Sequence, residues 1–130
     1  MEKDTAGQAG IVYIVDDDDA VRDSTVWLLK AAGLGAVAFA SAGAFLESFD
    51  PRRKAVILLD LHMPGMSGLE LLELLQARRV RTPVIVISGR RDPQLDELVT
   101  RAGAIAILGK PSGKTELLTL VRQALDSQTG

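Results

Sequence analysis

The 130-residue sequence predicts a single α/β domain built around a parallel sheet. Four apolar runs of mostly β-branched and aliphatic residues, each bounded by turn signals, have the length and composition of buried parallel strands. Amphipathic stretches of about ten to fifteen residues separate these runs, and this alternation is typical of βαβ units. A chain of this length buries enough surface to fold without disulfides, and the sequence contains no cysteine.

The start of the chain predicts two strands joined by a helix. The first apolar run, residues 11–15, is the first strand. We expect Asp19 to be the N-cap of the helix, which ends near Ala32 because Gly33 is a favoured residue just past a helix end. A short second strand is predicted at residues 36–39.

The second helix and the third strand follow from capping and turn residues. Ser41 is the expected N-cap of a helix that extends through Phe49 on its apolar face. Pro51 closes the helix because the residue before a proline avoids the helical region. The apolar run that begins at Val56 and ends at Asp60 is the third strand.

Capping signals also define the next two helices. Ser67 and Glu70 have the spacing of a capping box at the start of a leucine-rich helix. The fourth strand is predicted at residues 84–87. Asp92 precedes a proline, which is typical of an N-cap followed by the first helical residue, and Gly103 marks the end of that fourth helix.

The last strand and helix complete a flavodoxin-like (βα)5 prediction. Residues 104–108 form the last of the four apolar runs and are the fifth strand, and the leucines and valine of residues 117–125 form the apolar face of a fifth helix. Five strands with right-handed crossovers predict a three-layer sandwich. We expect the strand order 2-1-3-4-5, which is the flavodoxin-like arrangement, although periodicity alone does not determine the order.

Polar residues follow four of the predicted strands at their carboxyl ends. These residues are Asp16, Asp17, Asp60, Ser88 and Lys110. Ligands of open parallel sheets bind outside the carboxyl ends of the strands, so we expect the five side chains to converge on one edge. Each also has a structural interpretation, as a solvated loop or cap, a turn residue or a surface charge.

Three carboxylates at one edge require a cation or protons. Two unit charges about 4 Å apart repel by about 4 kcal/mol at an effective dielectric constant near 20. A ligand set made only of oxygen favours Mg²⁺, which binds one or two carboxylates together with waters and phosphate oxygens. The backbone carbonyl of His62, just after Asp60, is a further candidate ligand. A hydroxyl from Ser88 and an ammonium from Lys110 would suit the oxygens of a phosphoryl group.

In these motifs the chain resembles the receiver domain of two-component response regulators, and the sequence of the motifs is similar to that of the FixJ-type transcriptional regulators. The resemblance covers residues 11 to 125. It is carried by four segments, namely Val15-Asp16-Asp17-Asp18, Leu59-Asp60-Leu61-His62-Met63-Pro64-Gly65-Met66-Ser67-Gly68, Ile87-Ser88-Gly89 and Lys110-Pro111.

The resemblance implies a role for each site residue. Asp60 accepts a phosphoryl group from the phosphohistidine of a sensor histidine kinase. Asp17 and Asp60 bind Mg²⁺ directly with the His62 carbonyl, and Asp16 binds it through a water molecule. Ser88 and Lys110 contact the phosphoryl group. The family further implies a cytoplasmic phosphoprotein that is not a conventional enzyme, with transcription as its output and a homodimer formed through the fourth helix, fifth strand and fifth helix.

The chain departs from the family where an aromatic switch residue is usual. Ile107, three residues before Lys110, occupies that position. One alternative is therefore a degenerate receiver that acts as a protein-interaction module. A second is a Mg²⁺-dependent phosphatase of the haloacid-dehalogenase type, although His62 stands where such an enzyme has a second aspartate.

Composition and boundaries limit the remaining possibilities. The net charge of −2 gives no general attraction to nucleic acid, and the sequence has no run of about 18 apolar residues that could span a membrane.

We expect residues 1–10 to be a flexible tail, residues 11–126 to be the domain, and residues 127–130 to be a tail or the start of a linker.

Overall fold

The computed structural model of the protein describes residues 10–90, 92–110 and 113–128. Within these residues, five strands alternate with five helices. The strands are β1 (Ile11–Val15), β2 (Gly35–Phe39), β3 (Ala55–Asp60), β4 (Val84–Ser88) and β5 (Ala106–Gly109). The helices are α1 (Asp19–Ala31), α2 (Ala42–Ser48), α3 (Gly68–Ala77), α4 (Pro93–Arg101) and α5 (Lys114–Asp126).

All five strands form one parallel sheet in the order β2-β1-β3-β4-β5. This confirms the predicted order. The register pairs Val15 with Leu59, Asp60 with Ile87 and Ser88 with Gly109. The carboxyl ends of β1, β3, β4 and β5 therefore lie side by side, at the edge where the sequence predicts a site.

Alternating strand residues divide the core into two apolar layers. On one face, side chains such as Ile57 pack with Phe45 of α2 and with the leucines of α3. On the other face, Leu58 packs with Leu29 of α1 and with the apolar face of α5. Helices therefore cover both faces of the sheet, which confirms the predicted three-layer sandwich.

Three of the predicted helix starts are confirmed by their hydrogen bonds. The Ser67 hydroxyl accepts from the Glu70 N–H while the Glu70 carboxylate accepts from the Ser67 N–H, which completes the capping box. Ser41 accepts from the Ala44 N–H at the start of α2. Asp92 caps α4, with a proline at its first residue.

The N-cap of α1 is Asp18, so the prediction of Asp19 is wrong. Asp18 has extended backbone dihedral angles, and its carboxylate accepts from the Val21 N–H at 3.1 Å. Asp19 is the first helical residue, and its carboxylate pairs with Arg22. Four consecutive aspartates all favour helix starts, and which of them is the cap depends on where the loop leaves β1.

Two element boundaries also differ from the prediction. The strand β5 begins at Ala106 because the Ala104 N–H bonds back to the Val99 carbonyl at the end of α4. Ile105 then bonds to β4 but remains 55% exposed. The helix α2 ends at Ser48, one residue before the predicted Phe49.

Several predictions concern residues outside the described ranges. Of the predicted tail 1–10, only Gly10 is described, and it is buried. Pro111 of the Lys-Pro motif and the last two residues also lie outside. Gln128 is described, and its side-chain amide bonds to both the N–H and the carbonyl of Ala55 at the start of β3. Within the described residues, no helix has the length and apolar character needed to cross a membrane.

Candidate functional site

Three aspartate carboxylates meet at the carboxyl edge of the sheet. Asp60 is the last residue of β3, and Asp16 directly follows β1. Asp16 and Asp60 are 4% and 5% exposed, whereas Asp17 is exposed to solvent. One carboxylate oxygen from each of the three lies within 4.8 Å of the others. The structure thus brings together the three acidic residues that the sequence predicts for a metal site.

The carboxylates of the four aspartates at positions 16 to 19 make different contacts. The Asp16 carboxylate accepts from the Asp18 N–H at 2.9 Å through Oδ1. Asp18 caps α1 and Asp19 pairs with Arg22. Asp16 and Asp17 are therefore the two members of this run whose carboxylates lie close to that of Asp60.

Lys110 joins the acidic cluster from the end of β5. Its Nζ lies 3.0 Å from Asp16 Oδ2 and 3.3 Å from Asp60 Oδ1, and its side chain is only 25% exposed. One ammonium therefore bridges the two buried carboxylates. This contact partly offsets the repulsion between them.

Burial and like charge raise the pKa of the Asp60 carboxyl above its ordinary value. Loss of hydration is the larger cause, and the neighbouring Asp16 charge adds to it, while the Lys110 ammonium acts in the opposite direction. Burial lowers the pKa of Lys110, but its hydrogen bond to Asp16 and the charges of both carboxylates outweigh burial and raise that pKa. The site therefore favours a cation near Asp60.

Ser88 is fully buried at the end of β4, and its hydroxyl is bonded locally. The hydroxyl donates to the Arg90 carbonyl at 2.7 Å and accepts from the Arg90 N–H at 3.2 Å. The Ser88 carbonyl accepts from the Lys110 N–H at 2.9 Å, so the two residues are held together by their backbones. To donate to a phosphoryl group, the Ser88 hydroxyl would have to give up its hydrogen bond to the Arg90 carbonyl.

His62 lies in the loop after β3, and its side chain is exposed. Its backbone N–H donates to Asp60 Oδ1 at 3.4 Å, so the chain turns back toward the Asp60 carboxylate directly after β3. The role predicted for the His62 carbonyl, as a metal ligand, stays a prediction.

Gly68 and Arg22 are part of the site, although sequence reasoning gave neither a role there. A Cβ at Gly68 would lie 2.4 Å from the Asp60 carbonyl oxygen and 2.7 Å from Leu61 Cα. The first residue of α3 therefore packs directly against the backbone of the acidic residue. The guanidinium of Arg22 donates to the Asp16 carbonyl at 2.7 Å. In the sequence, the contact of Gly68 with the Asp60 backbone is indicated only by a glycine at a helix start. No sequence pattern indicates the contact of Arg22 with the Asp16 carbonyl.

The donor set fits a magnesium ion. Hard divalent cations prefer oxygen ligands, and the cluster offers carboxylate oxygens from two buried residues and one exposed residue. The exposed Asp17 faces solvent, which leaves room for the waters that Mg²⁺ keeps. Asp16, Asp17 and Asp60 are therefore the side chains that could hold the ion.

The sequence matches a known family along most of its length. Residues 12–122 match the sequence profile of the response regulator receiver domain. The chain belongs to the response regulator receiver family. This confirms the resemblance noted in the motifs. Receiver domains of response regulators are signalling domains rather than conventional enzymes, and the matches favour neither the phosphatase nor the degenerate-scaffold alternative.

Curated relatives include a transcriptional regulatory protein and a response regulator protein. The receiver is 41% identical over 114 residues to the transcriptional regulatory protein FixJ of Azorhizobium caulinodans, covering 88% of this chain and 54% of that protein. It is 36% identical over 118 residues to the response regulator protein TodT of Pseudomonas putida, covering 91% of this chain and 52% of that protein. The chain thus spans about half the length of these relatives.

Solved structures share the fold. The crystal structure of FixJ-N has a TM-score of 0.84 at 34% identity, covering 93% of this receiver and 97% of that chain. The response regulator StyR has a TM-score of 0.85 at 37% identity, covering 91% of this receiver and 60% of that chain. These neighbours confirm the predicted flavodoxin-like fold.

Proposed function

We propose that Asp60 accepts a phosphoryl group from the phosphohistidine of a sensor histidine kinase. In this step an Asp60 carboxylate oxygen forms a bond to phosphorus, the phosphorus–nitrogen bond breaks, and the electron pair of that bond stays on the histidine nitrogen. The observation that carries the proposal is a buried strand-end carboxylate in contact with an ammonium and flanked by two further carboxylates.

The residues around Asp60 would supply positioning and charge neutralisation, which phosphoryl transfer mainly requires. Asp16, Asp17 and Asp60 would hold Mg²⁺, which neutralises charge on the phosphoryl oxygens when bound. Lys110 would exchange one of its carboxylate contacts for a phosphoryl oxygen. The Ser88 hydroxyl, freed from the Arg90 carbonyl, would donate to another.

Phosphorylation would change a surface and thereby control an output. The added group carries a charge of about −1.5 to −2, and new contacts to it bias an existing equilibrium between two conformations. The similarity to the transcriptional regulatory protein FixJ supports transcription as the output of the whole protein. We further propose the cytoplasm as its location. With Ile107 in place of the usual aromatic residue, side-chain packing rather than ring rotation would transmit the change.

The surface of α4, β5 and α5 is the proposed output and dimer face. Two of its large apolar side chains are exposed, Leu98 on α4 at 51% and Ile105 just before β5 at 55%. Such residues suit an interface that forms after phosphorylation. Beryllofluoride with Mg²⁺ should shift wild-type protein toward a dimer in sedimentation velocity, and Leu98→Asp should prevent the shift. A wild-type protein that stays monomeric under these conditions would refute the dimer proposal.

Labelling by a small phosphodonor tests the acceptor directly. Acetyl phosphate with Mg²⁺ should add one phosphoryl group to the wild-type protein, detected by intact-protein mass spectrometry. Asp60→Asn should abolish the labelling because no carboxylate oxygen remains at the acceptor position. Asp126→Asn, an exposed change in α5, is the matched control and should leave it unchanged. Full labelling of the Asp60→Asn variant would refute the assignment.

A further inference from the structure

Arg22 of α1 contacts the acidic loop through its guanidinium. One amino group, Nη1, donates to the Asp16 carbonyl at 2.7 Å, and the other pairs with the exposed carboxylate of Asp19. The Arg22 side chain is only 17% exposed. A partly buried hydrogen bond from a charged donor is among the stronger ones in proteins. The contact with the exposed Asp19 is weak by comparison.

The bond to Arg22 completes the fixation of Asp16. The Asp16 carboxylate is held on one oxygen by the Asp18 N–H and on the other by Lys110. Arg22 holds the carbonyl, which belongs to the peptide that joins Asp16 to Asp17. Among the described residues, the Asp17 side chain has no hydrogen bond or ion pair that would fix its direction. The direction of the Asp17 carboxylate therefore depends on this peptide.

We propose that Arg22 is a positioning residue for the divalent cation. Its bond to the Asp16 carbonyl orients the peptide so that the Asp17 carboxylate faces Asp60. The proposal rests on the proposed function, since it concerns the ion held by Asp16, Asp17 and Asp60. Groups that orient metal ligands in this way typically change metal affinity by tenfold or more.

The positive charge of Arg22 and its positioning role have opposite expected effects on the affinity for Mg²⁺. A fixed positive charge near a cation site repels the ion, so electrostatics alone predicts tighter Mg²⁺ binding once the arginine is removed. Positioning predicts weaker binding, because the Asp17 carboxylate loses its orientation. The sign of the change in affinity therefore separates the two roles.

The test is a Mg²⁺ titration by isothermal calorimetry on the purified chain. Arg22→Ala should weaken Mg²⁺ binding by about tenfold. Arg22→Lys keeps the charge and one donor, so it should restore part of that loss. Arg122→Ala is the matched control, because Arg122 also donates to a backbone carbonyl, that of Ala32 at 3.0 Å, but far from the site. Unchanged or tighter binding by Arg22→Ala would overturn the proposal.

Further variants distinguish the possible failures. Asp19→Asn removes the exposed ion pair but keeps the bond to the Asp16 carbonyl, so it should leave Mg²⁺ affinity nearly unchanged, and a tenfold loss would overturn the proposal. If Arg22→Ala is unfolded by circular dichroism, Arg22→Met replaces it, because methionine keeps much of the side-chain volume without a donor, and the same loss is expected. A wild-type chain that binds no Mg²⁺ would refute the metal site of the proposed function. A wild-type chain that binds Mg²⁺ while the Arg22 variants bind equally well would refute only this inference.

Discussion

The two edges of the sheet carry opposite charges in opposite environments. At the carboxyl edge, the acidic cluster of Asp16, Asp17 and Asp60 is mostly buried and is bridged by Lys110. At the amino edge, three adjacent cavities of about 480, 360 and 240 Å³ are lined by six cationic side chains and, among the described residues, by no acidic one. We call these six residues the basic edge; they are Arg52, Arg53, Lys54, Arg78, Arg79 and Arg81.

The basic edge has more charged side chains than the acidic cluster, but these side chains make fewer ion contacts. Arg81 lines all three cavities, yet its side chain is exposed and has no ion pair within the described part of the chain. Arg78 is the C-cap of α3 and Arg79 follows it, at the end of the helix where positive charge suits the helix dipole. Arg79 adopts a left-handed backbone conformation with φ of 59°. Burial and convergence, rather than the number of charges, therefore mark the site.

The largest expected effect comes from placing a side chain beneath the acidic cluster. Gly68→Ala should destabilise the protein by about 3 kcal/mol or more, because its Cβ would collide with backbone atoms that have little room to move. Gly43→Ala is the matched control in α2, where a Cβ meets no atom within 4 Å. It should be neutral or stabilise by about 0.5 kcal/mol. Urea denaturation measures both, and equal stability of the two variants would contradict the packing described for Gly68.

A smaller effect should follow from removing a cation at each edge. In the absence of divalent cations, Lys110→Met should lower the free energy of unfolding by about 1–2 kcal/mol. This loss is smaller than that expected when a fully buried ion pair is broken, because the lysine is partly exposed. Arg81→Met should change the free energy of unfolding by less than about 0.5 kcal/mol, since its side chain is exposed. Urea denaturation at neutral pH compares the two. Equal losses would show that the basic edge is as strongly coupled as the acidic cluster.

The smallest effect concerns the pH dependence of stability. The pKa of Asp60 is raised in the folded state, so the ionised carboxylate destabilises the fold once the pH exceeds the unfolded value. Without divalent cations, Asp60→Asn should therefore raise Tm by a few degrees at neutral pH, and this difference should vanish below the unfolded pKa of the aspartate. Differential scanning calorimetry across this range is the measurement. Arg81→Gln should show no such pH dependence, and a constant gain for Asp60→Asn at all pH values would contradict the electrostatic origin.

Periodicity and capping predicted most of the fold but not its strand order. Alternating apolar runs and amphipathic stretches identified five strands and five helices, because each pattern reflects a local burial requirement. The order depends on which strands become neighbours across the sheet, and it was expected only by analogy with the flavodoxin-like arrangement. The Asp18 cap and the late start of β5 escaped prediction because neighbouring aspartates and a continuing apolar run do not mark the boundary.

The site could be predicted where its residues follow strands. Asp16, Asp17, Asp60, Ser88 and Lys110 all follow or end strands that the parallel sheet aligns at one edge. Other features depend on distances between elements that no local pattern encodes. These are the Arg22 bond to a carbonyl, the close approach of α3 to β3, and the local bonding of the serine hydroxyl.

The contact between Gly68 and Asp60 has a consequence for how this family member can evolve. Because any added Cβ collides there, every single substitution at position 68 meets the same barrier. A replacement at position 68 therefore survives only with a compensating shift of the backbone at the end of β3. We expect libraries randomised at this position to return glycine, whereas those randomised at Gly43 return many residues.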